Sequence, residues 1–343
     1  MTALPHLFCD PLVGDIIIRT CDGVEFHVHR DILSRESPFF SAMLSLPQAP
    51  PGPSETKPLV EVQEGREPWS DIIPFCYTHV LPTVDNPRKA RALLEAGRKY
   101  EMTSITDGVH RALLDPAVLA IEPIICYALA CAYDLPDVAQ AAARHSLKTP
   151  IYFEYVEELE LISFRDWHHL SQYRKRCSAA ARGFLGMGLF AGDPVATLAG
   201  SSWLRRRAEH LRCDCGSGAR FEEAGGSRAR GASVSARCKR TSYRLPSATL
   251  GQETFTNVTW NMRKSWVTYL RELDHALEMT PDPAIALSAT LLDPVVQSAQ
   301  GCQVCMSTIH QKVKNFTDVV HKEIENAVSK VRRISQCSCY VAV

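Results

Sequence analysis

The sequence predicts an α+β fold: a small β-sheet with a cluster of helices, followed by an all-helical C-terminal extension. Three observations support this prediction. Two short segments between residues 15 and 29 have the β-branched composition or the alternating pattern of strands. Apolar residues recur at helical spacing from Ile32 onwards. The segment from Gln311 to Ile334 has one continuous apolar face. Strands are therefore expected mainly near the start of the chain.

The first predicted element is a β-hairpin. Asp15–Arg19 is a short run rich in β-branched residues, and Val24–His29 alternates between apolar and polar side chains. Asp22-Gly23 lies between the two segments, and this pair favours a tight turn because glycine adopts positive φ without a steric cost. The pattern predicts two antiparallel strands.

A pair of helices is predicted directly after the hairpin. Ser37-Pro38 is typical of a helix start, with serine as the N-cap and proline in the first turn. The apolar residues that recur at helical spacing here are Ile32, Leu33, Phe39, Phe40, Met43 and Leu44.

The chain up to residue 115 adds one more strand and three helices. Pro58–Val62 is the predicted strand, and helices are predicted to begin near Glu67-Pro68 and Asn86-Pro87. The last, short helix ends near Asp115-Pro116. Beyond it, helical spacing continues to residue 148, with a break at Leu135-Pro136.

One set of positions is spread over residues 14–47. Its members are Gly14-Asp15, Asp22-Gly23, Phe26-x-Val28-His29-Arg30, Leu33, Ser37-Pro38-Phe39-Phe40 and Met43. With these residues the stretch resembles the BTB/POZ domain. It also resembles the branch of this family common in mushroom-type fungi, in which the stretch ends as Ser45–Gln48 does here. The resemblance implies a protein-interaction module with no catalytic activity.

This resemblance implies an oligomerising scaffold or adaptor that binds itself or other BTB proteins. Its implied interaction residues are Asp15, Arg30, Phe39, Phe40 and Met43. A second implied function is a substrate adaptor for a cullin-type ubiquitin ligase. Such adaptors carry a hydrophobic–x–acidic element after the second helix, where this chain has Leu46-Pro47-Gln48 and no acidic residue.

We predict four segments along the chain. A BTB/POZ domain occupies 12–115 and a helical extension 116–182. A flexible, basic insertion rich in Gly, Ser, Ala and Arg occupies 183–250, because this composition buries too little apolar surface to offset the entropy of ordering. A C-terminal helical region occupies 255–336.

Composition excludes several other classes of protein. The formal net charge is zero, so the chain as a whole is not attracted to nucleic acid or to an acidic membrane. We expect no membrane span, since no run of about 18 apolar residues occurs. Without a secretory signal, the 13 cysteines are expected to be reduced thiols in an intracellular protein of the cytoplasm or nucleus. No nucleophile, metalloprotease or nucleotide-loop motif is present, so we expect no enzyme.

Two cysteine pairs are candidate ligands for a metal ion. Cys213-x-Cys215 and Cys302-x-x-Cys305 together offer the four thiolates that a structural zinc ion takes. His310 and His210 are alternative ligands. A zinc-stabilised regulator associated with nucleic acid is therefore a third function. The other interpretation of these residues is that they are ordinary reduced cysteines and that the protein needs no cofactor.

Overall fold

A computed structural model describes residues 8–46, 57–80, 82–150, 155–185, 211, 240–244, 249–250, 253–254, 259–300 and 302–331. It divides into two compact units. The first contains Met1–His145 and Glu154–Trp167, and the second contains Ser146–Phe153 and His168–Ser335. The predicted fold class is confirmed, since a small sheet with helices is followed by a largely helical region.

The first unit begins with the predicted hairpin and helix pair. Its described elements are β1 (Ile16–Arg19), β2 (Glu25–Val28), α1 (Arg30–Glu36), α2 (Pro38–Ser45), β3 (Leu59–Glu61), α3 (Arg66–Thr78), α4 (Pro87–Lys99), α5 (Thr103–Leu113), α6 (Pro116–Ile121), α7 (Pro123–Ala132), α8 (Pro136–His145) and a 3₁₀ turn (Glu157–Leu161).

The sheet has the order β2-β1-β3. β1 pairs with β2 in antiparallel register, with Ile18 opposite Phe26, and with β3 in parallel register, with Ile18 opposite Val60. Ile16 and Ile18 are buried while Ile17 is half-buried, which is the alternation that a sheet covered on one face requires.

The outer edge of β2 is covered by the chain that precedes β1. The backbone N–H of His27 donates to the carbonyl of Phe8 at 2.6 Å, and the Phe8 ring lies 4.8 Å from the Tyr77 ring. His27 is consequently buried, although the alternation predicted it on a polar face. Burial, assisted by the charge of Lys57, lowers the pKa of its imidazole.

The core of the first unit is an aromatic cluster beneath α2. The Phe40 ring stacks on Tyr100 at a centroid distance of 5.0 Å and meets Trp69 edge-on at 6.0 Å. Ser37 fixes the start of α2, because its Oγ accepts from the Phe40 N–H at 3.1 Å and donates to the Tyr100 carbonyl at 2.5 Å. The helix start predicted at Ser37-Pro38 is thereby confirmed.

The helices after the sheet follow the predicted boundaries. α4 begins after Asn86, whose side chain accepts from the Lys89 N–H. α7 ends at Ala132 and α8 begins at Pro136, so the break expected at Leu135-Pro136 is confirmed. Proline favours a break here because the residue before it is restricted to extended backbone.

Glu64 connects the segment after β3 to the end of α4. Its carboxylate accepts from Lys99 Nζ at 2.8 Å and from the Tyr100 hydroxyl at 2.5 Å. Burial opposes ionisation, but the two hydrogen bonds outweigh it and hold the pKa of Glu64 below its ordinary value of 4.5. A lowered pKa stabilises the fold above 4.5, and this stabilisation is lost as the pH falls through the folded-state pKa.

We expect Glu64→Gln to lower the free energy of unfolding by roughly 1–2 kcal/mol at pH 7, because charge-assisted hydrogen bonds are lost. Urea unfolding, followed by hydrogen exchange in peptides of the first unit, measures this. The difference from the wild type should shrink below pH 4.5. Glu61→Gln is the control, since that exposed carboxylate only approaches Arg19 at 3.5 Å. A pH-independent difference would contradict the role assigned to the charge of Glu64.

The second unit has its own helical core. The helix α9 spans Phe164–Gly183, and its part from His168 onwards belongs to this unit. The other described elements are the 3₁₀ turn Ser146–Lys148, β4 (Arg240–Arg244), β5 (Thr249–Leu250), β6 (Glu253–Thr254), β7 (Thr259–Arg263), α10 (Lys264–Met279), the 3₁₀ turn Pro283–Leu287, α11 (Ala289–Gln297) and α12 (Gln303–Ser329).

Aromatic side chains join α10 to α12. Trp266 and Phe316 meet edge-on at 5.0 Å, and the Tyr269 hydroxyl donates to the carbonyl of Ala286 at 2.9 Å. Leu270, Leu273 and Leu277 of α10 and Val320 and Ile324 of α12 complete this buried cluster. The amphipathic helix predicted over 311–334 is present, and it begins eight residues earlier than expected, at Gln303.

Two predicted segments differ in detail from the structure. The predicted C-terminal helical region, 255–336, also contains a strand, because β7 pairs antiparallel with β4. The last part of the predicted helical extension, 116–182, consists of one 3₁₀ turn followed by the single long helix α9. The insertion predicted at 183–250 lies largely outside the described residues, and its described part includes the strands β4 and β5. The segment boundaries remain predictions.

Candidate functional site

α2 carries two apolar stripes at the same helical spacing. Phe40 and Leu44 point inwards and are buried. Phe39 and Met43, with the C-cap residue Leu46, form the neighbouring stripe: Phe39 is 38% exposed, Met43 is half-buried and Leu46 is 63% exposed. We call Phe39, Met43 and Leu46 the α2 stripe. A helix that presents large apolar side chains to solvent beside a complete core is a candidate interaction surface.

The two neighbouring phenylalanines have different roles. Phe39 keeps one edge in the core, because its ring meets Tyr100 at 5.5 Å, while the rest of the ring remains accessible. Phe40 was predicted as an interaction residue, and the structure corrects this. Its side chain is completely buried against Trp69 and Tyr100, so a partner cannot reach it without opening the core.

Asp15 and Arg30, both implied as interaction residues by the family resemblance, lie together. The Asp15 Oδ1 accepts from the backbone N–H of Arg30 at 2.7 Å, and no ion pair joins the two side chains within the described residues. Asp15 thus satisfies the first N–H of α1, for which the N-cap residue His29 supplies no side-chain acceptor. Its contact is structural, and the guanidinium of Arg30 is left half-exposed beside it.

The Tyr77 hydroxyl fixes the junction between β2 and α1. It accepts from the His29 backbone N–H at 2.8 Å and also lies 2.8 Å from His29 Nδ1. Burial raises the pKa of Tyr77, so the hydroxyl stays protonated and able to donate to the ring nitrogen. These contacts give His29 a structural role at the start of α1.

The predicted zinc ligands are only partly described. Cys302 is the N-cap of α12 and Cys305 lies one turn later, with Cys305 buried in the core of the second unit. Cys213 and Cys215 lie outside the described residues. Within the described part of the chain, no three His, Cys, Asp or Glu side chains are grouped closely enough to hold a metal ion. The four-cysteine site remains a prediction.

Leu46 was not among the predicted interaction residues. It lies seven positions after Phe39, two helical turns along the same face, so helical spacing could have identified it.

Among the helices that the structure describes, none combines the length and the apolar character needed to cross a membrane.

Comparison with known proteins agrees with this geometry. No curated protein matches the chain. The family model of the BTB/POZ domain matches residues 5–116, which include the three-stranded sheet, the helix pair with the α2 stripe, and α3 to α5. Residues 5–116 therefore form a BTB/POZ domain, a module through which proteins bind other proteins.

Proposed function

We propose that this chain is a scaffold that associates with a second copy of itself through its BTB/POZ domain. The observation that carries the proposal is the α2 stripe, in which Phe39 and Leu46 are 38% and 63% exposed beside the buried stripe of Phe40 and Leu44. Burying exposed apolar area is favourable by about 25 cal/mol per Å². Packing against another apolar surface would therefore lower the free energy of this stripe more than contact with a polar surface would.

Symmetry favours a second copy as the partner. In a two-fold dimer the same patch occurs on both subunits, so an apolar stripe can pack against its own copy without a complementary charge. The three members of the stripe are uncharged, which agrees with an interface core depleted of charged residues. Arg30 and Asp15 lie at the start of α1 in the same unit, and Arg30 is a candidate polar residue for the rim.

The other functions inferred from the sequence have less support. A cullin scaffold would bind the segment that follows α2. The first residue of that segment, Leu46, is described in the structure, and residues 47–56 lie outside the described residues. A nucleic-acid-associated zinc protein would need Cys213 and Cys215 to meet Cys302 and Cys305. A different BTB protein could also use the α2 stripe, which would give a hetero-oligomer.

We expect the full-length protein to elute as a dimer in size-exclusion chromatography with light scattering, at about twice the chain mass of 38.1 kDa. Replacing both Phe39 and Met43 with alanine should weaken dimerisation by at least about tenfold, because large side chains near an interface centre typically contribute 2 kcal/mol or more.

Ile121→Ala is the matched control. Ile121 is 57% exposed on α6, so the change removes a similar apolar side chain from a surface outside the α2 stripe, and the dimer should persist. A wild-type protein that is monomeric at micromolar concentration would refute self-association. A Phe39 and Met43 variant as dimeric as the wild type would refute the assigned surface.

A further inference from the structure

A cavity of about 310 Å³ lies on the second unit, between the C-terminal part of α9 and the end of α10. α9 contributes Arg174, Lys175, Ser178 and Arg182 to its wall, and α10 contributes Glu278 and Met279. These four residues lie on one face of α9, because Ser178 and Arg182 follow Arg174 and Lys175 by about one and two helical turns. The cavity therefore has one cationic wall.

Arg174 is the unusual member of this wall. Its side chain is buried, with only 7% of the residue exposed, yet no carboxylate pairs with it in the described part of the chain. Nη2 donates to the carbonyls of Thr149 at 2.8 Å and Met279 at 3.1 Å. Nη1 is buried and has no hydrogen-bond partner among the described residues. A buried charge without a counter-ion is costly, so an arrangement of this kind requires an explanation.

Helix capping explains only half of these contacts. The last carbonyls of α10 need donors, and Arg174 Nη2 and Ser178 Oγ supply them to Met279 and Leu277. A neutral donor such as the serine hydroxyl is sufficient for that role. Capping gives no role to the second guanidinium nitrogen, Nη1, or to the positive charge. Burial lowers the pKa of Arg174 to about 10, which shows that the charge is costly at this position.

The charges around the cavity do not balance. Arg182 is compensated, because its guanidinium donates twice to the Asp274 carboxylate, at 3.0 and 2.8 Å, and lies 3.5 Å from Glu278. Lys175 is exposed and forms no ion pair within the described residues. Both carboxylates thus pair with Arg182, and neither Arg174 nor Lys175 has a counter-charge among the described residues.

We propose that this cavity binds a single oxyanionic group, a carboxylate or a phosphate, between Arg174 and Lys175. Met279 both lines the cavity and accepts from Arg174, so the guanidinium lies at the cavity wall. An oxyanion there would neutralise the excess charge, while Lys175 attracts it from solvent. Nη1 is buried in this structure, and a rotation of the guanidinium would bring it within reach of the anion. A guanidinium suits this task because its rigid, planar donors match the oxygens of carboxylate and phosphate. The proposal concerns the second unit alone and is independent of dimerisation.

Isothermal titration of the full-length protein tests the site, with inorganic phosphate in one series and succinate in another, at low ionic strength and constant chloride. Saturable binding of either probe is expected, and the tighter one identifies the source of the oxyanion. Lys175→Gln should weaken binding about 3- to 10-fold, since a single nearby charge is removed. Arg176→Gln is the matched control, because this exposed neighbour on α9 does not line the cavity.

A second measurement separates binding from capping. Arg174→Gln keeps a neutral donor near the α10 carbonyls but removes the charge, so phosphate or succinate should raise the melting temperature of the wild type and leave that of the variant unchanged. If this variant does not fold, Lys175→Gln and Arg176→Gln still decide the question. Absence of saturable binding to the wild type, or equal affinity in these two variants, would overturn the proposal.

Discussion

Replacing Phe40 with alanine is expected to lower the free energy of unfolding of the first unit by about 4 kcal/mol, the usual cost of truncating a buried phenylalanine. The ring is completely buried and contacts Tyr100 and Trp69 at 5.0 and 6.0 Å. Three aromatic rings hold one another in place here, so the surrounding structure cannot collapse into the space left behind. Urea unfolding, followed by hydrogen exchange in peptides from β1 and α2, measures the loss.

Phe39→Ala is the matched control for this prediction. The same side chain is removed one position away, from a site that is 38% exposed. We expect a loss of stability below about 1 kcal/mol together with weaker dimerisation. Both variants must be compared at one protein concentration, because association itself stabilises the folded chain. Equal losses for the two variants would show that core and surface have been assigned wrongly on α2.

This pair of residues shows why the sequence could not divide the core from the surface. Phe40 and Leu44 are four residues apart, and so are Phe39 and Met43. Helical periodicity therefore predicts two apolar stripes and gives no reason to prefer one as the core. The choice is made by Trp69 and Tyr100, which lie 29 and 60 residues further along the chain than Phe40. Both rings pack on Phe40, whereas Phe39 contacts Tyr100 and keeps 38% of its surface exposed.

Elements that depend on local signals were predicted well. The Asp22-Gly23 turn and the Ser37-Pro38 helix start each follow from the backbone preferences of two adjacent residues, and both are in the structure. β7 shows the opposite case. Thr259–Arg263 is a strand because it pairs with Arg240–Arg244, some twenty residues away, and helical spacing in the following residues concealed it. Strand pairing of this range leaves no periodic signal in one segment.

The functional residues show the same division. The family resemblance implied interaction residues on α2 and at Asp15 and Arg30, but it did not reveal that the Asp15 carboxylate would contact the backbone N–H of Arg30. Nor could the sequence identify Arg174, which is one of several basic residues on α9. It becomes distinctive only through burial against Thr149 and Met279, contacts that depend on the packing of separate segments.

Gly14→Ala is expected to destabilise the first unit by more than about 3 kcal/mol, because two costs combine. Gly14 has φ +65°, a left-handed conformation that costs a non-glycine residue about 1–2 kcal/mol. In addition, a Cβ at this position would lie 2.2 Å from the carbonyl oxygen of Val28. That oxygen also accepts from the Asp15 N–H at 3.0 Å, so relieving the overlap pulls β1 away from β2 at the start of their pairing.

Gly23→Ala separates these two costs. Gly23 has a similar positive φ of +81°, but no atom lies within 4 Å of the position that its Cβ would take. We therefore expect it to lose only about 1 kcal/mol, the conformational cost alone. Urea unfolding of both variants, read by hydrogen exchange in β1 and β2, gives the difference. Because the backbone cost is shared, any excess loss in Gly14→Ala measures the steric overlap with Val28. Equal losses would mean that the two strands separate there without a penalty, and the tight entry into β1 would then contribute nothing to the stability of the domain.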